Sequence, residues 1–144
     1  MDKSDHLHNH SQTVISKLKK QRGSISVVIS QIALGEVFNH FWPNGGGDHK
    51  SIEVGDLRYL EVDTPPVKLE TIDLAKRLMN SNYKLGVADA LIASTTILDR
   101  NASWLLTNDP ELIDNQAIRT EVDDMISRKE RNCRLNISDN FKKA

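Results

Sequence analysis

The sequence predicts an α/β fold: one three-layer α/β/α domain around a short parallel sheet. Three observations predict it. Helical and strand-like patterns alternate along the chain, as in parallel α/β proteins. The strand-like runs are apolar without strict alternation, the mark of strands covered on both faces. The chain has 144 residues, of which 38% are apolar, enough for one core without disulfide or metal staples.

Each element has its own signature. Leu7, Val14, Ile15 and Leu18 recur at helical spacing, so 5–22 is predicted as an amphipathic helix stopped by Gly23. S-I-S-V-V-I-S (24–30) follows as a buried strand. Ser30 is a good N-cap for a helix over 31–41, marked by Ile32, Ala33, Val37, Phe38 and Phe41. Pro43, Asn44 and three glycines make a loop. L-R-Y-L-E-V (57–62) reads as a second strand, closed by Pro65 and Pro66. Leu69, Ile72, Leu74, Ala75 and Leu78 give a helix to about residue 80. The run 85–98 is apolar nearly all round and predicts a buried helix. W-L-L-T (104–107) is a third strand, and N-D-P opens a loop. Ile118, Val122, Met125 and Ile126 set a last helix within 115–131. The domain is placed at 1–131, with 132–144 as a polar C-terminal tail.

Charge and cysteine content exclude several classes. The net charge of −1 excludes a uniformly basic nucleic-acid coat, though not a local patch. Lys17, Lys19, Lys20 and Arg22 form one such patch, suited to phosphate contact or simply to solvent. One cysteine, Cys133, excludes an internal disulfide and a multi-cysteine zinc site. No apolar run reaches membrane-spanning length, and the polar start has no signal-peptide core. A cytoplasmic protein without a membrane partner is the expectation.

Three acids fall where parallel α/β sheets carry their sites, near the carboxyl ends of strands. Glu36 sits in the second turn of the helix after the 24–29 strand. Asp89 lies near the start of the apolar run 85–98. Asp109 follows the W-L-L-T strand. Each has a plain alternative: a solvated helix residue for Glu36, a dipole-favoured first-turn acid for Asp89, a turn cap for Asp109. Clustered carboxylates repel one another unless a cation sits among them, and an oxygen-only set suits Mg²⁺ or Mn²⁺.

I-S-x-x-x-L-G-E-V (29–37), L-G-V-A-D-A-L-I-A-S-T (85–95) and W-L-L-T-N-D-P-E-L (104–112) resemble the three later motifs of PIN-domain ribonucleases, in their VapC-like toxin branch. The resemblance covers roughly residues 5–113. It implies that Glu36, Asp89 and Asp109 bind Mg²⁺ or Mn²⁺ and serve catalysis. Thr107 would help hold water or the acids, with Asn108 beside it, and Ser30 would orient the motif containing Glu36. The implied activity is hydrolysis of RNA phosphodiesters, with tRNA or rRNA as substrate. A VapB-like antitoxin and a second copy of the chain are the implied partners. The family's first strand, central in its sheet and ending in an essential Asp, has no counterpart in the sequence. Asp2 and Asp5 fall after its expected position. The alternative is thus a catalytically impaired module that binds RNA or antitoxin.

Overall fold

The computed structural model describes residues 3–35, 54–82 and 84–139. In chain order it contains α1 (Lys3–Lys20), α2 (Val54–Tyr59), α3 (Leu69–Ser81), α4 (Val87–Leu98), β1 (Trp104–Leu106), α5 (Pro110–Ile113), α6 (Gln116–Ser127) and β2 (Asn136–Ser138). Residues 31–35 are helical as well. β1 and β2 pair in parallel, with Trp104 opposite Asn136, Leu105 opposite Ile137 and Leu106 opposite Ser138. The fold is mixed α/β with a short parallel sheet, two-stranded among the described residues. Parallel neighbours need a crossover, and α5 with α6 supplies it. No helix among the described residues is long and apolar enough to cross a membrane.

The main core is a helical layer closed over β2. Leu74, Ala75 and Leu78 of α3 face Ala90, Ala93 and Ile97 of α4, and Leu112, Ile118, Val122 and Met125 complete the cluster. Small side chains on α4 let α3 approach closely. Ser94 belongs to that face, fully buried, and its hydroxyl has no hydrogen-bond partner among the described residues. The buried-helix expectation holds for one side of α4 only, since Val87 is 61% exposed. A second cluster centres on Leu18 and Leu60. Val14 and Ile15 of α1, Ile25, Val27, Val62, and Trp104 and Leu106 of β1 pack against it.

Several expectations are met in detail. α1 ends before Gly23, whose φ of +94° suits glycine. Ser30 caps the helical stretch that follows it: the Ala33 amide donates to its Oγ at 3.0 Å. α3, α4, β1 and α6 fall within the segments predicted for them.

Three segments differ. Residues 57–62 were expected as a strand, but α2 runs to Tyr59 and the Leu60 amide donates to the Asp56 carbonyl. Leu57 and Leu60 stand three apart, so a helical turn buries Leu60 to 7% exposure and leaves Tyr59 outside at 47%. Glu61, at φ 54°, ends the turn. Residues 24–29 are extended but not covered on both faces. Ser24, Ser26 and Val28 are exposed while Ile25, Val27 and Ile29 are half-buried. Their pairing among the described residues is two isolated parallel bridges, Ile25 with Arg22 and Val28 with Asp63; in the second, Asp63 N–H donates to the Val27 carbonyl at 3.0 Å, and Ile29 N–H to the Asp63 carbonyl at 2.9 Å. Finally, the segment expected as a polar tail carries β2, because Leu135 and Ile137 have the spacing of one strand face and pack on the main core.

Arg131 joins these parts. It is 3% exposed. Its guanidinium donates to the carbonyls of Ile97 at 3.1 Å, Asp99 at 3.2 Å, Ala102, and Cys133 at 3.4 Å. The first two lie at the C-terminal end of α4, where unsatisfied carbonyls and the helix dipole favour a cation. Around it, Asn132 N–H donates to the Arg100 carbonyl at 3.0 Å, Arg100 to the Lys129 carbonyl at 2.9 Å, and Asn136 N–H to the Ser103 carbonyl at 2.9 Å. The turn before β1 and the turn before β2 are thus held as one piece.

Two substitutions test this account in urea unfolding. Arg131→Met leaves the carbonyls without their donor and should lower stability by about 3 kcal/mol, the upper end for hydrogen bonds to a charged group. Ser94→Ala removes an orphaned hydroxyl at little volume cost and should raise stability by about 1 kcal/mol.

Candidate active site

The ladder continues one residue past β1, where Thr107 N–H donates to the Ser138 carbonyl at 3.0 Å. The chain then turns sharply. Thr107 Oγ1 accepts from the Asp109 amide at 3.1 Å. Asp109 is the N-cap of α5: the Glu111 amide donates to its Oδ1 at 2.9 Å. Pro110 stands in the first helical turn, where a missing amide costs nothing. The Asp109 carbonyl accepts from Leu112 at 3.0 Å and from Ile113 at 3.2 Å.

The short helix that Asp109 opens is fixed from below. Asn115 is buried; its Oδ1 accepts from the Ile118 amide and its Nδ2 donates to the Glu111 carbonyl, both at 3.0 Å. One side chain therefore caps α6 and ties it to α5. The turn from Thr107 to Asp109 is rigid, half-buried at both residues, and sits at the carboxyl end of a parallel strand. One oxygen of the Asp109 carboxylate is used as a cap; the other has no hydrogen bond among the described residues.

Asp89 stands in the first turn of α4 and is half-buried. Gly86 is the N-cap there and supplies no side-chain bond, and an acid in the first turn suits the helix dipole. The bend thus joins Thr107 and Asp109, and Asp89 belongs to a separate helix start. Glu36 lies outside the described residues. Among the described residues no three His, Cys, Asp or Glu side chains gather as a metal-holding group. The donor chemistry of Asp89, Asp109 and Thr107 is oxygen throughout, which is what Mg²⁺ and Mn²⁺ take.

Two of the four basic residues at the end of α1, Lys19 and Arg22, make contacts within the chain. The Arg22 guanidinium stacks over Tyr59 at 4.7 Å from the ring centre, and Lys19 lies at 5.9 Å. Lys19 pairs with Asp56, and Arg22 with Glu61 at 3.2 Å. These contacts pack α1 on α2. Exposed pairs of this kind contribute about 0–1 kcal/mol each.

Sequence reasoning missed two residues that build the site. Asn115 had a usable signal, a capping residue three positions before Ile118 at the head of an apolar-periodic stretch. Arg131 had none, because its acceptors are backbone carbonyls distant in sequence.

Comparison with protein-family models, with curated proteins and with solved structures finds no match for this chain.

The cap geometry sets an order of stabilities that urea unfolding should reproduce. Asp109→Asn keeps the cap and should change stability by only a few tenths of a kcal/mol, whereas Asp109→Ala should cost about 1 kcal/mol. Thr107→Val deletes the acceptor for the Asp109 amide and should also cost about 1 kcal/mol.

Proposed function

We propose that this protein is a metal-dependent endoribonuclease of the PIN type, with the three-layer α/β/α architecture of that family. The observation that supports it best is the rigid bend beyond β1, which presents Thr107 and one uncommitted oxygen of Asp109 where α/β sheets place their ligands. On this reading Asp109, Asp89 and Glu36 supply oxygen ligands to Mg²⁺ or Mn²⁺. The bound ion, in such sites, lowers the pKa of a coordinated water and polarises a phosphoryl oxygen. The protein's own part is positional. Thr107 holds the Asp109 amide and so fixes the direction of the carboxylate, and Asn115 keeps α5 from swinging away. The substrate class is structured RNA, tRNA or rRNA. The role is that of a cytoplasmic toxin, dimeric and restrained by a VapB-like antitoxin.

A second reading has its own observation. Asp109 Oδ1 is already engaged as a helix cap, so this acid has a purpose without any chemistry. The protein is then a silent module that binds RNA or antitoxin.

Cleavage of purified tRNA and rRNA in Mn²⁺, followed on gels with melting curves on the same samples, separates the two. The nuclease reading expects cutting that Asp89→Asn and Asp109→Asn each reduce about 100-fold or more, since even outer-shell changes at metal sites cost about 10–100-fold. It also expects Mn²⁺ to raise the wild-type melting point by mass action and the Asp89→Asn midpoint much less. RNA binding without cutting, and equal Mn²⁺ responses in both proteins, would establish the silent module.

A further inference from the structure

Asp109 opens a helix that is too short to hold itself. α5 has four residues, a single turn, and one turn fixes more dihedral angles than its hydrogen bonds repay. Leu112 anchors it by its apolar side chain, 2% exposed in the main core. The polar anchor is Asn115, 3% exposed. Its Nδ2 donates to the Glu111 carbonyl at 3.0 Å, and its Oδ1 accepts from the Ile118 amide at 3.0 Å.

Glu111 joins this anchor to the candidate site. Its carbonyl is held by Asn115, and its amide donates to Asp109 Oδ1 at 2.9 Å. The Asp109 amide is tied back to Thr107 Oγ1 at 3.1 Å. Hydrogen bonds thus run from the first turn of α6 through Asn115 and Glu111 to one oxygen of Asp109. The connection needs a side-chain amide at position 115. Among capping side chains, an ionised Asp accepts but cannot donate, and Ser offers one short hydroxyl. Asn carries a donor and an acceptor on one planar group. Turned over, that group would set its NH₂ against the Ile118 N–H and its oxygen against the Glu111 carbonyl, so the two ends together fix its orientation.

We infer that Asn115 is a positioning residue: through Glu111 it makes the aim of the Asp109 carboxylate depend on the first turn of α6. The inference rests on the reading of Asp109 as a cation ligand. With Oδ1 held as the cap, the second oxygen keeps a fixed bearing beyond β1. Without the Nδ2 donor, α5 loses its polar anchor and the cap bond at Glu111 opens more often. The carboxylate then samples several rotamers, and cation affinity falls with the fraction of time spent in the competent one.

The test combines Mn²⁺ binding, read from the electron paramagnetic resonance of the free ion, with amide exchange followed by NMR. Both use the full chain well below its melting point. Asn115→Ser keeps a cap for α6 but cannot reach Glu111. Asn115→Asp keeps the shape and the cap, loses the donor, and adds a negative charge that alone would tighten a cation. Both should bind Mn²⁺ at least about tenfold more weakly than wild type, the size of effect seen for residues that orient a metal ligand. Without metal, exchange at the Glu111 amide should speed at least about tenfold in both, while the Ile118 amide stays protected. Val122→Ala thins the core under α6 without touching these hydrogen bonds; it should lower stability and leave Mn²⁺ affinity unchanged. Unchanged affinity in both Asn115 variants, or an equal loss in Val122→Ala, overturns the positioning role. A wild-type protein that binds no Mn²⁺ overturns it as well, and faster Glu111 exchange in the variants then shows that the metal reading failed and not the connection from Asn115.

Discussion

A single buried guanidinium organises this molecule. Among the described residues no carboxylate pairs with Arg131; its partners are the carbonyls of Ile97, Asp99, Ala102 and Cys133. A cation is expensive to bury, and multiple strong acceptors offset that cost. The geometry does the rest. The acceptors belong to the end of α4, the turn before β1 and the approach to β2, so satisfying the guanidinium brings three sequence-distant segments to one point. β1 and β2 are only three residues each, too short to hold each other unaided. Their register follows from the turns that Arg131 and Asn132 lock together.

From that point the site is a consequence. With β1 anchored at its amino end, its carboxyl end is delivered to the bend at Thr107 and Asp109. α5 and α6 then return the chain to β2, and Asn115 makes the two helices move as a unit. Both hydrophobic clusters meet the sheet: Leu135 and Ile137 pack on the helical core, Trp104 and Leu106 on Leu18 and Leu60. The strands are the seam between the two clusters, which is why such a small sheet has so large a positional effect.

Much of this was readable from residue order. Helices with a long apolar period, α1, α3, α4 and α6, declare themselves because burial of one face is what stabilises them. Ser30 and β1 were also legible, since a cap and a buried strand depend on immediate neighbours. The failures share a cause. In 57–62, six residues satisfy both periods, and Leu60's burial against Leu18 decides for the helix. β2 is three residues of ordinary polarity whose strand state comes from its partner, not its composition. Arg131 looks like any charge in a basic stretch. For the candidate site, the bend at Thr107 and Asp109 was visible as a motif, while its rigidity, through Asn115, was not.

The cap at Asp109 has an evolutionary corollary. If such a protein ceased to cut, folding alone would still restrict position 109 to the short list of residues that cap a helix, Asp, Asn, Ser and Thr among them. Asp89 stands in the first turn of α4, after its cap Gly86, where the dipole's preference for an acid is about 0.3–1 kcal/mol. In lineages descended from this fold, a polar residue kept at 109 is first of all the mark of a helix that still needs its beginning.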